Sequence, residues 1–566
     1  MHKSLLKWFE KHQTGLIDEA KEYYQSHVLS YPDDVNAWQL LGIANSQLEA
    51  YDEALVAFKK GLSIDPNNVT IHSNIGHVYV KLKEYDLGEK HFNIVLNIQP
   101  GHLGVLKNLG LMHYKQNQFS TAEAYFHKAL ALDEHNDTLL YNLGLCQFNQ
   151  NNIKSATRTF INALNIDDNN QSIMIKIGEC YLQQSLYDHA IKYFLKAKNI
   201  EASFRIYHGL GCAYLGEDNS DQALKYFNQA YELEPFNFEN CHNLASVYLH
   251  QQKLGEALQC WFQCLQMKPK CEQTLYNIGV CYQYQNKFED AYSYFHKVLN
   301  QNENHSDTLH NLGTLALKQN KPNEAITFYR RVARLKPDNS QIQFLLNALE
   351  GEKNSSFKQC PKDYVAQLFD DYAPTYNEHL TKVLKYNGHE RLSDLIENTI
   401  QPRKKMWTHI VDVGCGTGLA GPYLKPWTKQ LSGIDCSQNM LMLANKTELY
   451  DHLIEGFIPD LPWPKAVDVF FLADCFPYIG DLSTTIRKMV LALNENGLIV
   501  CSIESGDDQT GTYELSKSGR FKHSKNYLVT LMTTNGCKQI NYEKTNIRYE
   551  QHNPVNNELF IFKKIS

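Results

Sequence analysis

The chain has 566 residues, more than one hydrophobic core organises, so two or more domains are expected. Its formal net charge of −7, from 55 Lys and Arg against 62 Asp and Glu, leaves no basic footprint for nucleic acid. The opening MHKSLLKWFEKHQ lacks the apolar stretch of a secretory signal, and no apolar run reaches membrane-spanning length, so a cytoplasmic protein without membrane segments is expected. The 14 cysteines form no C-x-x-C pair. Even Cys260, Cys264 and Cys271 have no carboxylate or histidine at ligand spacing, so they read as reduced core thiols, with no metal site.

From the N-terminus to about residue 350 one pattern repeats. Gly42, Gly76, Gly110, Gly144 and Gly178 follow one another at 34 residues; Gly211 comes 33 later, and Ala245, Gly279 and Gly313 resume the period. An alanine ladder (Ala20, Ala54, Ala122, Ala156, Ala190, Ala223 and onward to Ala325) and a proline ladder (Pro32, Pro66, Pro100, Pro235, Pro269, Pro337) run in step. Small residues at fixed positions mark helices that cross closely, and the prolines close one helix and start the next turn. This period resembles the tetratricopeptide repeat (TPR). The resemblance implies a superhelix of about ten helix pairs over residues 1–350, the first (Leu5–Asp34) a cap and Asn339–Leu349 a final capping helix. Two residues before most of the glycines stands an asparagine: Asn74, Asn108, Asn142, Asn243, Asn277 and Asn311, with Leu40, Lys176 and Gly209 breaking the row. In TPR arrays this position tends to face the concave groove. A row of amides there resembles the superhelix of O-linked N-acetylglucosamine transferase, and implies a grip on the backbone of a protein or peptide partner; the alternative is amides that bond within their own repeats.

Gly351–Pro361 is polar and rich in breakers, and reads as a linker between the repeats and a second domain, 362–566. Tyr364–Leu384, containing LFDDYAPTYNEHL, has helical spacing on both sides of Ala373-Pro374 and opens a helical segment, 362–400.

His409–Gly421 reads HIVDVGCGTGLAG. It is a short strand ending in Asp412, a turn crowded by Gly414, Gly416 and Gly418, and a helix start at Leu419–Leu424. Such a turn lets the backbone approach a nucleotide-like ligand closely. A dinucleotide fold wants a third glycine where Leu419 stands. The even spacing G-x-G-x-G with an acid two residues before it resembles motif I of the class I S-adenosylmethionine (SAM) methyltransferases. Nineteen residues after Gly416 a second strand, Gln430–Ile434, ends in Asp435, placed to accept the hydroxyls of a ribose. The alternation continues through a helix (Ser437–Lys446), strands at His452–Gly456 and Val467–Leu472, Asp474 past the latter's end, a helix (Leu482–Leu493) and a strand (Gly497–Ile503). A helix (Lys525–Asn535) and an antiparallel pair (Lys538–Tyr542, Leu559–Lys563) close it.

Together with LADCFPYIGDL (472–482) and GRFKHSKNYLVTLMTTNG (519–536), these stretches resemble the bacterial methyltransferases with TPR repeats over the whole chain. The resemblance implies an α-solenoid (TPR superhelix) followed by an α/β doubly wound, Rossmann-like class I methyltransferase domain that uses SAM. It assigns the backbone of Gly414, Cys415, Gly416 and Gly418 to the cofactor loop, Asp412 to the methionine end of the cofactor, the 362–400 segment to a lid, and Tyr372 and Tyr376 to the sulfonium; Asp474, at a strand end like Asp412 and Asp435, is a further cofactor candidate. Where related enzymes place an adenine-reading acid after the third strand, this chain has Gly456-Phe457. Methyl transfer needs alignment and a dry pocket more than covalent chemistry, and Tyr478 and His523 are the candidate proton acceptors. The expected function is a methyltransferase whose repeats recruit a protein partner or substrate. The alternatives are a non-catalytic TPR scaffold that binds SAM and an enzyme acting on a small molecule. Every cofactor motif lies between Gln359 and Ser566, so that fragment is expected to bind SAM by itself.

Overall fold

The computed structural model describes residues 3–351, 357–373, 376–400, 406–461, 463–509, 511–550 and 553–565. It contains two compact units, Met1–Gln285 and Asn286–Ser566.

The first unit is a succession of helix pairs such as Val35–Gln47 with Tyr51–Ile64 and Val69–Lys81 with Tyr85–Ile98. The side chains of Asp34, Asn68, Asn136, Asn170 and Asn237 cap the first helix of a pair by accepting free N–H groups of its opening turn. Each such helix then ends in a turn whose residue takes a φ near +60°, at Glu49, Lys83, Asn117, Asn151, Ser185, Asp218 and Gln252. The glycine ladder has a specific partner. A Cβ on Gly76, Gly110, Gly144 or Gly178 would lie 2.5–2.8 Å from the ring of Phe92, Phe126, Phe160 or Phe194, sixteen residues on and fully buried. Gly42 meets Phe58 and Gly211 meets Phe227 in the same way. The repeat thus runs on a ring of the second helix pressed against bare backbone of the first.

The second unit begins with the last repeat helices, Phe288–Leu299, Ser306–Lys318 and Pro322–Leu335, and the closing helix Ser340–Glu350. Phe344 of that helix is fully buried among Cys360, Val365, Phe457 and Phe521, so the end of the repeats shares a core with the α/β domain. Residues 352–356 of the expected linker, and Pro374 of the lid stretch, lie outside the described residues. The end of the linker is ordered: Cys360 is fully buried and donates its N–H to the Tyr478 carbonyl at 3.0 Å.

The domain is a seven-stranded sheet of β1 (Trp407–Val413), β2 (Thr428–Asp435), β3 (His452–Glu455), β4 (Val467–Leu472), β5 (Leu493–Glu504), β8 (Cys537–Glu550) and β9 (Asn553–Lys564), in the order β3-β2-β1-β4-β5-β9-β8. The first five are parallel and β9 is antiparallel to both neighbours. Alternate residues feed two cores: Val411, Val413, Phe470 and Leu472 enter one, and Ile410, Val469 and Phe471 the other. The closing pair is longer than the sequence suggests, because β8 carries polar residues and two register shifts that mask its alternation. A small hairpin of β6 (Tyr513–Leu515) and β7 (Phe521–His523) was not foreseen. The helix after the glycine turn is also shorter, Gly421–Leu424 followed by a tight turn at Lys425–Trp427, since Pro426 stops it.

Candidate functional site

At the carboxyl ends of β1, β2 and β4, where open α/β sheets bind ligands, lies a cavity of about 360 Å³. Gly414, Gly416 and Gly418 all have positive φ (72°, 53° and 87°), so three left-handed residues fold the turn after β1 back on itself. Gly414 and Gly416 line the cavity; Gly418 packs beneath the Tyr450 ring, and Cys415 is buried with its sulfur against Gly433. Asp435, 9% exposed, also lines it. One carboxylate oxygen accepts the Gly416 N–H at 2.9 Å and the other the Ser437 N–H at 2.9 Å, which fixes the carboxylate against the turn. Burial raises its pKa against the pull of those backbone bonds. Asp412 is buried behind the turn, outside the cavity lining. It accepts the Tyr450 hydroxyl at 2.7 Å, and burial pushes its carboxyl up to about 7.

The lid stretch covers the turn as two helical pieces, Lys362–Tyr372 and Tyr376–Val383. Thr417 donates to the Asn377 side chain at 2.5 Å, and Ser437 to the Asp370 carboxylate at 2.6 Å, so each piece is tied to the sheet. Tyr372 and Tyr376 both line the cavity; burial raises the pKa of Tyr376, and its ring stands beside Gly416. Phe457, 5% exposed, forms part of the same wall.

Asp474 and Tyr478 reach the cavity as well, and both are bound by arginine. Arg520 donates to Asp474 at 3.1 Å and to the Tyr478 hydroxyl at 2.9 Å, and Arg548 donates to Asp474. His523 is fully buried and absent from the cavity wall. Its Nε2 donates to the carbonyls of Ile479 and Gly480 at 2.8 and 3.1 Å, and burial lowers its pKa to about 4, so it is a neutral clamp on the loop after β4, away from the cavity wall. Sequence reasoning chose the histidine of GRFKHS and passed over Arg520 in the same stretch. Asp370 and Asn377 lay within a quoted motif but had no partner visible along the chain.

The asparagine row sits half-buried on first helices of the pairs. Asn243 and Asn277 face His208 and His242 of the preceding repeats, each at 3.3 Å, and Asn277 also accepts from Gln273 of its own helix at 3.1 Å. Asn311 pairs with His310. Asn74 has an amide nitrogen with no partner among the described residues, and Asn108 and Asn142 occupy the equivalent positions.

Residues 411–501 match the family model of the methyltransferase domain, and residues 42–83, 68–135, 204–237 and 270–338 match tetratricopeptide repeat models. The chain is similar to malonyl-[acyl-carrier protein] O-methyltransferase of Priestia megaterium, 28% identical over 25% of this chain and 51% of that enzyme. It is similar to the enzyme of the same name from Xylella fastidiosa, 34% identical over 25% of this chain and 49% of the other. The chain thus spans about half the length of the curated relatives it matches. The crystal structure of YrrB, described as a TPR protein with an unusual peptide-binding site, covers 33% of this chain and 96% of its own, at 22% identity and a TM-score of 0.30. This protein joins tetratricopeptide repeats to a class I methyltransferase domain.

Proposed function

We propose that the chain is an SAM-dependent methyltransferase whose repeats recruit a protein that is methylated or that delivers the substrate. The observation that carries the reading is the left-handed glycine turn clasped to Asp435 on one side and closed by a tied aromatic lid on the other. The residues present fit the cofactor. Gly416 leaves the turn open toward the cavity, with Tyr376 the nearest neighbour of a Cβ there at 3.7 Å. The Asp435 carboxylate has lone pairs left for ribose hydroxyls, and the Tyr376 face suits a sulfonium. When bound, SAM supplies an activated methyl group. The chain's own part is to orient the reactants and keep water out, which Phe369, Tyr376, Leu380 and Phe457 do from the cavity wall. The half-buried amides of the first helices support a peptide-gripping groove, and the buried thiols of the repeats support a reducing, cytoplasmic setting.

The test is calorimetry and thermal shift on the full chain, followed by incubation with labelled SAM and lysate. SAM at about 100 times its dissociation constant should add roughly 2.7 kcal/mol of stability, and NAD none. A shift with NAD and none with SAM overturns the cofactor. SAM binding without transferred label supports the scaffold reading instead.

A further inference from the structure

The cavity wall carries a histidine, His379, that neither the cofactor turn nor the arginine pairs engage. The carboxylates of the wall are committed elsewhere. Asp435 is held by the Gly416 and Ser437 N–H groups, and Asp474 and Glu550 are bound by Arg520 and Arg548. Burial pushes the Cys436 thiol up to about 12, and raises Cys475, Tyr376 and Tyr386 well above their ordinary values. His379 is half-buried, and neither of its ring nitrogens has a hydrogen-bond partner among the described residues. Neither is closed off from solvent in the way the unpartnered nitrogen of His523 is.

The lid fixes where this ring stands. His379 comes three residues after Tyr376, so the two side chains share a face of the lid's second helical piece, and the Tyr376 ring is the one beside Gly416. Asn377, two residues before His379, takes the Thr417 hydroxyl. Tyr372 of the first piece lies against the imidazole, with ring centroids 5.7 Å apart and planes at 39°. At His379 the helix widens: the Leu384 N–H donates to its carbonyl at 3.0 Å, which makes His379–Val383 a single π-turn. Such turns are rare and are frequent at functional sites. This one begins at the residue whose ring nitrogens are unpaired, and Leu380 and Leu384 line the same wall.

Resting on the methyltransferase reading, we propose that His379 is a catalytic base that takes a proton from the methyl acceptor. The acceptor then belongs to the class that has a proton to lose, an amine, a hydroxyl or an acidic C–H. Histidine is the side chain suited to passing a proton near neutral pH, and a base must reach the acceptor from the wall of the cavity in which methyl transfer occurs. The acceptor atom bonds to the methyl carbon as the donor's S–C bond breaks and its electron pair stays on sulfur. The donor leaves as a neutral thioether. The acceptor's proton passes to a free nitrogen of the imidazole, and from the imidazolium to water.

The full-length protein is incubated with methyl-labelled SAM and a cell lysate, and the labelled product is treated with mild alkali, which releases methyl esters as methanol. The label should survive. His379→Gln keeps a polar side chain on the lid but takes no proton, and His379→Ala leaves room for added imidazole. Transfer by both variants should fall by about a hundredfold or more, while the calorimetric affinity for SAM stays unchanged. Free imidazole should restore part of the transfer by the Ala variant, a recovery that a merely structural histidine would not allow. Undiminished transfer by the Gln variant, or no recovery with imidazole, overturns the inference and leaves the enzyme standing. So does methanol release from the product of the unaltered chain, because a carboxylate acceptor has no proton to give. Weakened SAM binding in the Gln variant overturns it as well, by assigning His379 to the cofactor. Tight SAM binding by the unaltered chain with no labelled product sinks the enzyme reading and this one with it. The alkali test is read on the unaltered chain, so a variant that folds badly does not shield the proposal.

Discussion

Asp412 is 2% exposed, and burial pushes its carboxyl up to about 7, whereas the same group in the unfolded chain titrates near 4. Between those values the folded chain holds a proton that the unfolded chain has released. Its contribution therefore favours the fold at low pH and is lost as pH rises through about 7, at roughly 1 kcal/mol per pH unit. Asp412→Asn keeps an acceptor for Tyr450 and cannot titrate, so melting curves of the variant should vary less between pH 5 and pH 8 than those of the parent. Equal slopes would show that Asp412 stays ionised. Asp435 carries the other forecast at this scale. Asp435→Ala should weaken SAM binding by about 1–3 kcal/mol, the loss of a charge-assisted bond pair, and unchanged calorimetric affinity would remove Asp435 from the site. The place of Asp435 on the cavity wall was legible from a strand-end acid near glycines, whereas Asp412, read the same way, stands behind the turn on Tyr450. Arg520 and Arg548 were not legible. They stand in separate strand-rich stretches of the tail, and meet Asp474 only after the β8–β9 pair has folded back along β5.

The repeat helices show where periodicity suffices and where it stops. The 34-residue spacing sets the small-residue positions, and the structure adds the ring, of a phenylalanine at Gly42 to Gly211 and of Tyr329 at Gly313, that leaves no room for a Cβ. The left-handed turn residues keep the same period but are Glu, Lys, Asn, Ser, Asp and Gln, so no residue type announces them. The asparagines show the limit from the other side: the sequence places them in a row, while Asn243 and Asn277 find histidine partners in a neighbouring repeat. Replacing Asn243 and Asn277 by alanine removes the bonds to His208 and His242. Each loss should cost about 0.5–1.5 kcal/mol, so the melting temperature of the repeats should fall. If the same amides also hold a peptide backbone, partner capture in a pull-down should fall with it. A lower melting temperature with capture intact would reduce the row to a strut between repeats.

At the scale of the whole chain, the repeat numbering and the compact units divide at different places. Every cofactor motif lies after Gln359, yet Phe344, from the closing repeat helix, is fully buried against Phe521 and Tyr364, with ring centroids at 6.2 and 5.6 Å. Tyr364 lines the cavity, and Phe457 of the same cluster forms another part of its wall. A fragment beginning at Gln359 therefore loses one face of the core that supports the lid, even though it keeps all the chemistry. Removing a buried phenyl ring costs about 3–5 kcal/mol, enough to spend much of a domain's stability. The fragment 286–566 should accordingly melt well above 359–566 and bind SAM more tightly. Phe344→Ala in the longer fragment should bring both properties most of the way down to those of the shorter one. Because the longer fragment adds repeat helices of its own, the comparison is made on SAM affinity and on a probe in the α/β domain, such as Trp463 fluorescence, rather than on total unfolding heat. Equal SAM affinity and equal α/β melting in the two fragments would show that the repeats end where their numbering does, and that the Phe344 contact is incidental to the cofactor site.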